Sequence, residues 1–131
     1  MPRARAFFFA LVSLAALLGT LAAGAVGRPP YDEAAFAAAQ AAGKSVLVHV
    51  SAPWCPTCKA QHTILDLLLS KPQFKDVVTF VVDFDTGGET LKKFNARSQS
   101  TLIAFKGDKE TARSAGDTKT ESIEKLIASS L

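Results

Sequence analysis

Residues Val46 to Gln61 read VLVHVSAPWCPTCKAQ and contain both cysteines of a 131-residue chain. The first five residues form a valine-rich, nearly unbroken apolar run, the pattern of a short strand buried on both faces. Cys55 and Cys58 follow three positions apart, with Trp54 before the first and Lys59 after the second. Pro56-Thr57 suit the first turn of a helix, where a missing proline N–H loses no intrahelical bond. That helix is expected to continue through Ile64, Leu65, Leu67, Leu68 and Leu69 and to stop before Pro72. Its apolar stripe is expected to be Ala60, Ile64, Leu67 and Leu68, with Lys59, Thr63, Asp66 and Ser70 on the polar face.

Upstream of the strand, Asp32 to Ala42 is alanine-rich, opens on acids and is followed by Gly43, so a capped helix is expected there. Arg28-Pro29-Pro30 reads as a stiff linker, within residues 26–30. Before it, Arg3 and Arg5 precede an uncharged run of 21 residues, Ala6 to Val26. Ala23-Gly24-Ala25 fits the small-residue exit of a secretory signal, so residues 1–25 are read as a signal peptide cleaved after Ala25. An uncleaved membrane anchor is the alternative, since about 20 apolar residues span a bilayer. Either reading delivers the rest of the chain outside the cytoplasm, and the bacterial periplasm is the expected compartment. No cysteine stands directly after the apolar run, so a lipid-modified N-terminal cysteine is excluded. Without Arg3 and Arg5 the 15 basic residues fall to 13 against 12 acidic ones, a net charge of +1. The pI near 9.0 therefore mostly restates the leader, and no basic stripe remains to argue for nucleic acid.

Downstream, Val77 to Val82 is a second buried strand, Gly87-Gly88 break the chain, and Glu89 to Phe94 is a short helix. Leu102 to Phe105 is a third strand, turned at Lys106-Gly107-Asp108 so that Glu110 to Ala115 returns as an antiparallel partner. Thr118 with Glu121 matches a capping box for a final helix carrying Ile123, Leu126 and Ile127. There is no internal repeat. The order α-β-α-β-α-β-β-α implies one α/β domain over 31–131, a central mixed sheet with helices on both faces.

A disulfide closing a loop of two residues gains little from chain entropy, so the thiols are poorly explained as a staple. Structural zinc commonly takes four ligands, and beyond the thiols the chain offers only His49 and His62 as histidines. His62 is read as a solvated surface residue. Covalent haem needs histidine directly after the second cysteine, and Lys59 stands there. Redox exchange needs less. A thiol at a helix start faces unpaired N–H groups and the positive end of the helix dipole, which favour the attacking thiolate. Cys55 is therefore the expected nucleophile, and Cys58, one turn inside the helix, the thiol that resolves the mixed disulfide.

Trp54-Cys55-Pro56-Thr57-Cys58-Lys59 resembles the W-C-x-x-C-K site of the thioredoxin superfamily. The strand before it, the Thr101 to Gly107 segment and Gly116 fall where that family has them, so the likeness covers residues 31–131. It implies a thioredoxin-like fold, thiol–disulfide exchange with protein thiols and disulfides, and supporting places for Trp54, Pro56, Thr57, Lys59 and Thr101, with no cofactor and no bound metal. Three departures stand out. His49 occupies the place of a buried acid, Thr63 that of a helix proline, and Ser100 that of a cis-proline facing the cysteines. His49 either accepts the Cys58 proton or is a neutral core histidine. The Gln99–Ser100 bond is expected to be trans, because a cis bond before a non-proline costs about 2.5–4 kcal/mol. Ser100 either faces Cys55 and donates a hydrogen bond to its thiolate or is an ordinary loop serine in the polar turn it shares with Ser98. The functional expectation is an exported oxidoreductase acting on envelope proteins, soluble or membrane-tethered, its electron-exchange partner a protein left unnamed. The rival readings are a metal or iron–sulfur carrier using Cys55 and Cys58 and an inert interaction domain.

Overall fold

A computed structural model describes residues 28–131, so the leader or anchor read over 1–25 lies outside the described residues. Among the described residues no helix is long and apolar enough to cross a membrane. The elements run α1 (Glu33–Ala41), β1 (Ser45–Ser51), α2 (Pro56–Leu69), a 3-10 turn (Pro72–Phe74), β2 (Val78–Asp83), α3 (Gly88–Lys93), β3 (Thr101–Lys106), β4 (Lys109–Ala115) and α4 (Thr120–Ala128). Every expected helix and strand forms, with ends within about two residues of expectation, as fraying ends allow.

The sheet order is β2-β1-β3-β4. β1 pairs parallel with β2 and antiparallel with β3, and β3 pairs antiparallel with β4. The strand that delivers the cysteines is thus central, and its seven residues are all buried. Strand alternation sorts its side chains onto two faces. Val46, Val48 and Val50 enter a cluster with Phe36, Phe80, Phe94, Ile103 and Phe105 under α1 and α3. Leu47 enters the opposite cluster with Leu65, Leu68, Leu102, Ile123 and Ile127 under α2 and α4. His49 shares the Leu47 face by the same alternation.

The structure corrects three expectations. The buried row of α2 is Cys58, Gln61, Leu65 and Leu68, whereas Leu67 is 60% exposed and Ala60 faces solvent. A glutamine occupies one buried position, so counting apolar residues rotated the stripe. The capping box does not form: Lys119 is the N-cap of α4 and makes no side-chain cap. Asp117 serves instead, accepting from the Lys119 N–H at 2.9 Å and from the Ser122 hydroxyl. Residues 28–30, read as linker, are fastened to the edge of β2: Val81 N–H donates to Pro29 O at 2.9 Å, and Tyr31 N–H to Val81 O at 2.7 Å.

Candidate redox site

Where β1 ends, the chain turns through Ala52 and Pro53 and enters α2 with Cys55 as its N-cap. Cys55 accepts the Cys58 N–H on its sulfur at 3.0 Å, and its carbonyl accepts the Lys59 N–H at 3.1 Å. The first turn of α2 is thereby closed around the sulfur. Pro56 takes the first helical position, as expected. Cys55 and Cys58 are joined as a disulfide, their Cα atoms 5.3 Å apart. They are 4% and 1% exposed, so the larger exposure expected for Cys55 is slight. Trp54 is 57% exposed beside them, its indole N–H shared between the two Asp85 carboxylate oxygens at 2.9 and 3.2 Å. Lys59 lies exposed on the helix and Thr57 is half-buried.

Ser100 comes to both sulfurs. Its Oγ lies 3.1 Å from Cys55 Sγ and 3.2 Å from Cys58 Sγ. The described residues contain no cis peptide bond, so the Gln99–Ser100 bond is trans as expected. Ser100 instead adopts a left-handed backbone with φ of 62°, uncommon for a residue with a Cβ. Three hydrogen bonds hold it there. Its N–H donates to Val50 O at 2.8 Å, and its carbonyl accepts from Gly116 N–H at 2.9 Å and from Gln61 Nε2 at 3.0 Å. Thr101 does not join the sulfurs: its hydroxyl turns back to Ser98 O at 2.8 Å, on the face that carries Ile103.

His49 is fully buried, and no bond joins it to Cys58. Gln61, equally buried, gives its amide protons to the carbonyls of Ser100 and Asp117, at 3.0 and 2.8 Å. Its Oε1 is therefore the acceptor facing His49, and His49 Nε2, at 3.0 Å, must carry a proton. His49 Nδ1 is a buried lone pair without a partner. Burial chiefly, then the nearby His62, pushes the His49 pKa down to about 3, so the ring is neutral at physiological pH.

His62 is not the solvated residue expected. It is half-buried, with its ring edge-on to His49 at a centroid distance of 4.7 Å. Arg28 donates to its Nδ1 and pairs with Asp66 at 2.6 Å. A guanidinium can only donate, so His62 must carry its proton on Nε2 and donate to Ser51 Oγ at 3.1 Å. Burial first and the Arg28 charge second hold the His62 pKa below its ordinary value. Gln61 had no place in the sequence reading, Arg28 only that of a linker residue, and His62 only that of a solvated one. The available signal was position: Gln61 lies three residues after Cys58 and four before Leu65, on the row the dithiol itself buries. Thr63, the third departure, is exposed and points its hydroxyl at Lys59 O at 3.4 Å.

A mixed sheet, a W-C-x-x-C-K turn at its central strand and a helix opened by the first cysteine specify the site, and the family model for thioredoxin matches residues 30–129. The chain belongs to the thioredoxin family. A thioredoxin of Chlamydia trachomatis is 34% identical over 83 residues, covering 63% of this chain and 79% of that protein. A thioredoxin H-type of Brassica campestris is 31% identical over 90 residues, covering 69% and 72%. A crystal structure of Trxlp from Edwardsiella tarda superposes with a TM-score of 0.73 at 41% identity, over 76% of this chain and 96% of that one. This thioredoxin-family protein is a thiol–disulfide oxidoreductase with a C-x-x-C pair. Among its described residues no group of three or more histidine, cysteine or acidic side chains gathers as for a metal ion.

Proposed function

We propose that this oxidoreductase works outside the cytoplasm, in the bacterial periplasm, and exchanges disulfides with envelope proteins through Cys55 as attacker and Cys58 as resolver. The observation that carries the roles is the Cys58 N–H directed at Cys55 Sγ at 3.0 Å, from the first turn of α2. A charge on Cys55 gains that hydrogen bond and the helix dipole together. Cys55 thiolate attacks one sulfur of a partner disulfide and expels the other as thiolate. Cys58 then attacks Cys55 within the mixed disulfide, re-forming the intramolecular bond, and its proton leaves with the departing partner thiol. Trp54, half exposed beside the pair and held by Asp85, offers the partner an apolar surface. Export is supported by Arg3, Arg5, the uncharged run to Val26 and the Ala23-Gly24-Ala25 exit. The product is either freed by cleavage after Ala25 or held at the membrane by the intact run.

Trapping tests the roles. Cys58→Ser is expected to accumulate mixed disulfides through Cys55, and Cys55→Ser to abolish exchange; trapping by Cys55→Ser alone reverses the assignment. Cell fractionation of the full chain with N-terminal sequencing tests the location. Recovery in the cytoplasm with residues 1–25 intact would overturn export.

A further inference from the structure

We propose that Ser100 is a catalytic hydroxyl that stabilises the reduced, anionic form of the dithiol, and that Gln61 is the residue that positions it. The proposal rests on the Cys55–Cys58 exchange described above and concerns what the sulfurs meet inside the protein.

One hydroxyl stands within hydrogen-bond reach of both sulfurs, at 3.1 and 3.2 Å. It is 3% exposed, and no bond diverts it to another group. While the disulfide is intact, neither sulfur is charged and both are weak acceptors. Two-electron reduction by a partner dithiol breaks the S–S bond, leaves Cys55 as thiolate and Cys58 as thiol, and oxidises the partner to its disulfide, one of its two protons ending on Cys58 and the other in solvent. The hydroxyl then donates to the Cys55 thiolate, an ionic hydrogen bond roughly twice as strong as a neutral one, while the Cys58 S–H turns to Ser100 Oγ. Oxygen and both sulfurs sit in one compact set, so no backbone movement is needed. When Cys58 attacks the mixed disulfide and its proton passes to the departing partner thiol, rotation about Cβ–Oγ lets the same O–H face Cys58. The hydroxyl gains energy on reduction and not before, so it raises the reduction potential of the pair.

The hydroxyl is presented to the sulfurs from a left-handed backbone, and that backbone is anchored. Gln61 is the one side chain in the anchor. It spans from α2 to the carbonyls of Ser100 and Asp117 and takes its own support from His49 Nε2–H. A fully buried glutamine on the row of Cys58 has no packing advantage over leucine. Its geometry makes sense as a clamp on the loop that carries the hydroxyl.

The test is the equilibrium of the oxidised and reduced full-length protein against glutathione, for the wild type, Ser100→Ala, Ser100→Gly, Gln61→Leu and the Ser100→Ala/Gln61→Leu double variant. Ser100→Gly also removes the hydroxyl but relaxes the left-handed backbone, since glycine accepts positive φ freely. Both Ser100 variants are expected to make reduction about tenfold less favourable, some 30 mV lower in potential, although their thermal stabilities should diverge. Gln61→Leu should shift the potential the same way by a smaller factor, and the double variant should match Ser100→Ala alone, because Gln61 acts through Ser100. A Ser100→Gly potential equal to wild type overturns the proposal, and additive shifts in the double variant overturn the role of Gln61. A reversal of attacker and resolver in the trapping experiment would leave the potential shifts intact, because the hydroxyl reaches both sulfurs.

Discussion

Acidification should weaken the fold through His49 at pH values where the ring is still neutral in the native protein. The native ring has a pKa near 3, lowered chiefly by burial, whereas an unfolded histidine titrates near 6.5. Below pH 6.5 the unfolded chain takes up a proton that the native chain refuses. The contribution is therefore complete above the unfolded value and lost as pH falls toward the folded one. The loss approaches about 1.4 kcal/mol per pH unit and amounts to about 2 kcal/mol between pH 7.5 and 5. That is a large share of a net stability of about 5–15 kcal/mol. His62 adds a smaller loss of the same sign, screened by solvent. The lowered carboxyls do not interfere in this window: Asp83, held down by the Thr86 N–H, and Glu110, held down by Arg113, cost stability only near and below their ordinary carboxylate range. The assay is urea unfolding of the oxidised protein at several pH values, followed by the fluorescence of Trp54, the single tryptophan. His49→Leu should begin about 1–3 kcal/mol less stable at pH 7.5, because Gln61 Oε1 loses its donor. Its decline with acid should be much shallower, so the two curves converge near pH 5. A wild type that loses less than about 0.5 kcal/mol over that range, or a His49→Leu variant with an undiminished slope, refutes the reasoning.

Phe36→Ala should cost about 3–5 kcal/mol in urea unfolding, since Phe36 is 2% exposed and meets the rings of Phe94 and Phe105 at 5.2 and 5.5 Å. Arg28→Ala should raise the His62 pKa in an NMR titration, because it removes a positive charge from Nδ1, and should change stability little, as the Asp66 partner is 57% exposed. An unmoved His62 midpoint would count against that contact. Ser100→Pro should lower the thermal midpoint rather than improve the site: proline holds φ near −65°, against 62° here, and lacks the N–H that Ser100 gives Val50. An unchanged midpoint would mean the loop readily takes a second conformation.

The sheet and its helices were legible because β1 and β2 are short valine-rich runs, β3 is a short apolar run turned back into β4 at Lys106-Gly107-Asp108, and α1 and α2 carry their own punctuation. Asp32 caps α1, accepting the Ala35 N–H at 2.7 Å, and Gly43 ends it at φ 66°. Pro56 opens α2. Such signals are local, and local signals survive in sequence. The cysteines were legible for the same reason: spacing and flanking residues define their turn without any distant partner. The polar layer beneath them was not. Gln61, His62 and Arg28 have their roles only through residues 11 to 56 positions away, and nothing in a glutamine or an arginine says which carbonyl or ring it will meet. Thr118 with Glu121 failed for the opposite reason, a local pattern outcompeted by Asp117 one residue earlier.

His49 and Ser100 look in the sequence like two independent departures from the thioredoxin pattern. In the structure Gln61 makes them one. Its carbonyl oxygen needs a donor, which His49 Nε2–H supplies, and its amide needs acceptors, which Ser100 O and Asp117 O supply. A carboxylate at position 49, which thioredoxin-superfamily members often carry, would set an acceptor against the acceptor oxygen of Gln61. Flipping the amide would relieve that clash only by turning oxygen toward two carbonyls. A buried polar group left facing its own kind costs about 1–3 kcal/mol, so His49→Asp does not restore the family's arrangement while Gln61 remains. Nor does a proline at position 100, whose φ the anchored loop refuses. The three side chains form one alternative solution beneath the dithiol, in which a neutral histidine supports a glutamine, the glutamine holds a serine, and the serine meets the sulfurs.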